Sequence, residues 1–176
     1  MSNPDTGKPS ETDHLPRTLV ARALRVEEDV LPPGDLPLGR FAHRVLSYLK
    51  AGDEDTPPPP DHPDGWTLSL FDALTRDHPA LALAACRAVL DICESPEDVA
   101  LVAAGPLEDL ILAQGAALID EIERLAASSP RFAYALTGVW PPVAAGGLLW
   151  ARIDAARRDI PGLDDGAPLP PPDGRV

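Results

Sequence analysis

The chain has 176 residues, the usual span of one folded unit with a single core. Hydrophobic residues make up 44% and aromatics only 5%, while 22 prolines exceed twice the ordinary share of about 5%. Fifteen Lys and Arg against 28 Asp and Glu leave a net charge of −13. Such a surface repels phosphate, so neither nucleic acid nor an anionic membrane is an expected partner, and a charged partner should be basic.

The first ten residues hold one lysine, two prolines and no apolar run, which is no secretory signal. The most apolar window, 99–122, is interrupted by Gly105-Pro106 and carries Glu108, Asp109, Asp120 and Glu121, so no membrane helix is expected. Cys86 and Cys93 lie seven apart in one predicted helix, a rise of roughly 10 Å that puts them beyond disulfide reach. They read as small buried apolar residues, and a cytoplasmic location follows.

Residues 1–14 are polar and lack periodicity, so a disordered N-terminus is expected. Leu15, Leu19, Ala23 and Val26 predict a short amphipathic helix within 15–30, stopped by Pro32-Pro33-Gly34. Leu38, Phe41, Ala42, Val45, Leu46 and Leu49 then follow helical spacing closely, with Gly52 just beyond the end. This N-terminal helical pair, 15–51, holds six basic residues (Arg17, Arg22, Arg25, Arg40, Arg44 and Lys50) against four acids (Glu27, Glu28, Asp29 and Asp35). That bias would favour docking on the acidic remainder. Residues 52–65 read as an acidic, proline-rich, solvated linker.

From Trp66 onward proline changes role. Pro79, Pro96, Pro106 and Pro130 each precede an apolar-periodic stretch, the first helical position, where a missing N–H costs nothing. Ser95 and Ser129 stand where capping residues belong. Helices are predicted at 66–76, 79–93, 96–104, 106–114, 116–127, 130–138 and 144–158, with Gly105 and Gly115 closing two of them. No stretch alternates at period two, so no strand is expected. The fold class is all-α: a compact array of short antiparallel helices, repeat-like without a fixed period, with its main helical domain at 66–158 and a disordered, proline-rich tail at 159–176.

The run Ala103-Ala104-Gly105-Pro106-Leu107-Glu108-Asp109-Leu110, followed by Gly115, Ile119-Asp120, Ile122-Glu123, Pro130-Arg131-Phe132 and Gly138-Val139-Trp140, resembles a bacterial family of domains of unknown function. That family carries a Gly-Pro-Leu-Glu-Asp-Leu motif and a terminal Gly-Val-Trp, and the similarity covers about 66–158. The resemblance implies a small helical domain and no established activity.

Glu108 and Asp109 are carboxylates suited to a general base or a metal ligand, especially with Asp120 and Glu123 nearby on one helix face. The structural alternative is that Glu108 and Asp109 offset the positive end of a helix opened by Pro106, Glu108 reaching back to the cap, while Asp120 pairs with Arg124. Trp140-Pro141-Pro142 is a stiff corner whose tryptophan either plugs the core with Trp150 and Phe132 or stands out as a binding anchor. His14, His43, His62 and His78 lie at no metal-ligand spacing. No catalytic, cofactor-binding or metal-binding residue and no cofactor is therefore expected. Glu108, Asp109, Asp120, Glu123 and Trp140 remain as a partner-binding group.

The expected role is that of a non-catalytic, acidic protein-interaction module, in its narrower form an immunity- or antitoxin-type inhibitor whose carboxylates occupy a partner's basic cleft. The alternatives are a metal-dependent hydrolase using the clustered carboxylates and a structural component of a larger assembly.

Overall fold

The computed structural model describes residues 13–52, 56–142 and 147–173. Residues 1–12 of the expected disordered N-terminus, 53–55 of the linker and 174–176 of the tail lie outside that set. The fold is mainly helical, as expected. In chain order the helices are α1 (Arg17–Leu24), α2 (Leu38–Leu49), α3 (Trp66–Asp77), α4 (Pro79–Ile92), α5 (Pro96–Val102), α6 (Glu108–Ser128), α7 (Pro130–Leu136) and α8 (Leu148–Ala156). A two-residue antiparallel ladder joins β1 (His14–Leu15) to β2 (Leu36–Pro37), with Leu15 opposite Leu36. Two residues are too few to show alternation, so the composition carried no sign of it.

Local chemistry accounts for three of these eight helix starts. Pro79, Pro96 and Pro130 open α4, α5 and α7. Ser95 and Ser129 cap the last two by accepting from Asp98 N and Phe132 N. The α2 stripe is buried from Leu38 to Leu46 as its spacing requires. Helix α1 stops earlier than expected, at Leu24, because Arg25 adopts a left-handed φ of 57°. Arg25 N then donates to Arg22 O and Val26 N to Ala21 O, the paired closure usually made with glycine. Without a glycine there, the sequence pattern runs on to Val30, which instead ends a single 3-10 turn, Glu28–Val30.

The two glycine expectations part. At Gly105-Pro106 the helical path kinks as expected: Gly105 leaves helical geometry, with φ −117° and ψ −108°, in a π-type turn, Ala103–Leu107, that joins α5 to α6. Gly115 sits inside α6, and the predicted helices 106–114 and 116–127 are one element. A Cβ on Gly115 would lie 3.0 Å from Leu149 Cδ2, so the missing side chain lets α8 approach α6. The run Pro96–Ser128 is long and apolar enough, by length and composition alone, to cross a membrane, yet half of its apolar window is buried within the protein.

The core runs through every helix. Phe41 packs between Trp66 and Phe71, with ring centroids 5.8 and 5.6 Å apart. Helix α2 lies against α3, α4 and α5, so 15–51 shares the core of 66–158 instead of standing apart. Arg44 pairs with Asp64 at 2.7 Å and Lys50 with Asp98 at 2.7 Å, consistent with the charge bias of the N-terminal pair. Asp64 is buried and His62 stands edge-on to Tyr48, so this end of the linker is docked on α2.

The C-terminal segment is also different from the expectation of a disordered tail. Residues 159–173 run back across α7 and α4: Tyr134 Oη donates to Ala167 O, Arg131 to Pro170 O, and Arg87 pairs with Asp173. Leu163, Ala167 and Leu169 pack on the core. Proline richness fits a strap as well as a loose tail, since its carbonyls still accept hydrogen bonds.

Candidate functional site

The carboxylates singled out from sequence fall into two separate pairs. On α6, Asp120 and Glu123 both meet Arg152 of α8. Arg152 Nε donates to Glu123 Oε1 at 2.8 Å, and its Nη2 donates to Glu123 Oε2 and Asp120 Oδ1 at 2.6 Å each. The guanidinium holds the Glu123 carboxyl below its ordinary range. The expected Asp120–Arg124 pair is absent, because Arg124 turns to Glu121 instead. Helical spacing allows both partners, and the arrival of α8 decides between them.

The second pair has a different setting. Glu108 does not reach back to a helix cap, since continuation through the π-type turn leaves no free N-terminus there. Its Oε2 accepts instead from Trp140 N at 2.9 Å. This bond spans 32 residues and joins the two motifs of the sequence, Gly-Pro-Leu-Glu-Asp-Leu and Gly-Val-Trp. Between them Leu107, Leu110 and Val139 are fully buried. Gly138 belongs to the same joint: a Cβ there would fall 2.5 Å from Leu163 Cδ1 and 3.0 Å from Ala103 Cβ.

Asp109 is exposed, yet loss of water contact, reinforced by the charges of Asp72 on α3 and Glu108, pushes its carboxyl above the ordinary range. Three carboxylates therefore share one negative patch. Trp140, whose backbone N–H meets Glu108 of this patch, is 61% exposed, while Trp150 and Phe132 are buried without it. The stiff corner at Pro141-Pro142 presents the ring to solvent. Leu112, four residues after Glu108 on the same face of α6, is 46% exposed.

A model for the family of unknown function DUF6869 matches residues 54–160, more than half of the chain. The chain belongs to that family. The DUF6869 region contains the π-type turn, the Glu108–Trp140 bond and the Arg152 clasp. Neither a curated protein nor a solved structure matches the chain.

Other candidates are structural. Among the described residues no group of three or more His, Cys, Asp and Glu is placed to hold a metal ion, and Glu108, Asp109, Asp120 and Glu123 form no such group. Cys86 and Cys93 are free and buried, and burial pushes the Cys93 thiol up to about 12. Asp98 is an acid in the opening turn of α5, at the capping-box spacing Ser95-x-x-Asp98. Its Oδ2 accepts from Glu94 N at 3.0 Å and its Oδ1 from Lys50 Nζ. Burial raises its pKa, but these bonds outweigh that and hold the carboxyl below the ordinary range. Arg131, in the sequence only a member of the Pro130-Arg131-Phe132 motif, has a structural role. It is only 4% exposed, and it donates to Leu90 O, Cys93 O and Pro170 O.

Proposed function

We propose that the chain is a non-catalytic, acidic protein-interaction module that acts in the cytoplasm, and that the Trp140 corner is its contact surface. The observation that carries this reading is an exposed tryptophan on a proline-stiffened corner, tied through its backbone N–H to Glu108 of the negative patch that also includes Asp72 and Asp109. Large aromatic side chains supply much of the energy of protein interfaces, and a stiff backbone loses little freedom on binding. Neighbouring carboxylates add attraction for a basic partner and speed its approach. The narrower form is an inhibitor of the immunity or antitoxin kind, its carboxylates standing where a partner would hold phosphate.

The test is quantitative affinity capture from the native host with the wild-type chain and the Trp140→Ala and Glu108→Gln variants. The reading expects one stoichiometric, basic partner, lost with Trp140→Ala and weakened by raised salt. If no stoichiometric partner is recovered, or if Trp140→Ala retains it fully, the reading is wrong.

A further inference from the structure

A second feature lies away from the Trp140 corner. A cleft of about 370 Å³ opens between α1, the Leu31–Pro37 loop, α2 and the start of α3. That volume is within the range of small-molecule sites, at its lower end. Its charge is opposite to that of the whole protein: the lining residues include Arg17, Arg40 and Arg44 against a single acid, Asp35, in a chain of net charge −13.

The acids do not quench these arginines completely. Asp35 is engaged with the backbone N–H of Arg17 at 3.0 Å. The Arg17 guanidinium donates to Leu31 O, meets Glu28 only at 3.9 Å, and keeps a buried Nε with no acceptor. Arg44 gives Nη1 to Asp64. Arg40 is exposed and makes no ion pair among the described residues. Backbone donors are scarce, because four of the lining residues are prolines. An anion entering the cleft would therefore be held by guanidinium groups. The remaining wall is apolar and includes Trp66, whose ring is backed by Phe41.

We propose that this cleft binds a small organic anion with a flat apolar body, its carboxylate or phosphate oxygens on Arg40 and Arg44 and its body against Trp66. Guanidinium forks suit both anions, and a proline-built wall is preorganised for an occupant. The cleft is made largely by residues before 54, outside the DUF6869 match, so it is independent of the Trp140 surface.

The test is calorimetric titration of the full chain with naphthoate, naphthyl phosphate and the neutral naphthamide. At least one anion should bind at or below about 1 mM, and the amide at least about tenfold more weakly. Binding by either acid supports the proposal, and the two arms tell carboxylate from phosphate preference. Arg40→Ala removes an exposed side chain and leaves the core intact; it should weaken the anion about tenfold, with thermal unfolding unchanged. Arg76→Ala, at the far end of α3, should leave binding as it was. Binding of neither anion at about 1 mM, equal binding of the amide, or an Arg40→Ala effect no larger than that of Arg76→Ala would each overturn the proposal.

Discussion

Replacing Arg131 by methionine probes the joint between the C-terminal segment and the helical body. The buried guanidinium donates Nη1 to Leu90 O at 3.0 Å and to Cys93 O at 2.8 Å, the closing carbonyls of α4. Its Nε and Nη2 donate to Pro170 O at 2.9 and 2.5 Å. A hydrogen bond to a charged group contributes roughly 1.5–3 kcal/mol, and a buried carbonyl left without a partner costs about 1–3 kcal/mol. Removing the charge also relieves a desolvation cost of several kcal/mol, which offsets much of that sum. The expected net loss is about 2–4 kcal/mol. At roughly 2–4 °C per kcal/mol for a chain of this size, the melting temperature should fall by about 5–15 °C. Urea unfolding measures the loss, and hydrogen exchange over 159–173 should show faster exchange in that segment. Arg131→Lys should recover less than half, because one ammonium cannot reach both α4 and the segment. A loss below about 0.5 kcal/mol, with unchanged exchange in 159–173, would refute the view that Arg131 holds this joint.

Three further outcomes follow from the same geometry. Because bonds from Lys50, Glu94 and Ser95 hold the Asp98 carboxyl below its ordinary pKa of about 3.9, its stabilisation is full above that value and is lost as pH falls through the lowered one. Asp98→Asn should therefore cost roughly 1–3 kcal/mol at pH about 7, with the gap to wild type closing in acid; a pH-independent gap in urea unfolding would contradict this. Asp109 has the opposite sign: its raised pKa means that its charged form burdens the folded state once pH rises past the ordinary value. Asp109→Asn should stabilise at neutral pH and be neutral below pH about 3.9, and destabilisation at neutral pH would count against the negative patch. At Gly115, leucine should cost roughly 1–3 kcal/mol by pushing Leu149 and α8 outward, whereas alanine offsets a tighter contact with about 1 kcal/mol of helix propensity. Equal unfolding midpoints for the two variants would show that α6 and α8 are not in close contact there.

The candidate surface was legible in the sequence only as a set of residues. Glu108, Asp109 and Trp140 stood out through motif and chemistry, but their juxtaposition rests on a bond across 32 positions that no periodicity encodes. Asp120 and Glu123 were rightly placed on one face, while their partner, Arg152, arrives from another helix. The arginine cleft went unseen, since its side chains come from α1 and α2 and its apolar wall is completed by Trp66 of α3.

What the chain order alone determined was local: prolines opening α4, α5 and α7, serines capping two of them, and the apolar stripe of α2. Each depends on a few adjacent residues, whose backbone preferences act before any tertiary contact forms. Only the tertiary structure decided that Gly115 would lie inside a helix and that a proline-rich terminus would be strapped down by Arg131. The reason is energetic. A glycine's helix penalty of about 1 kcal/mol is small beside the apolar burial that the approach of α8 brings, so packing overrides the local signal.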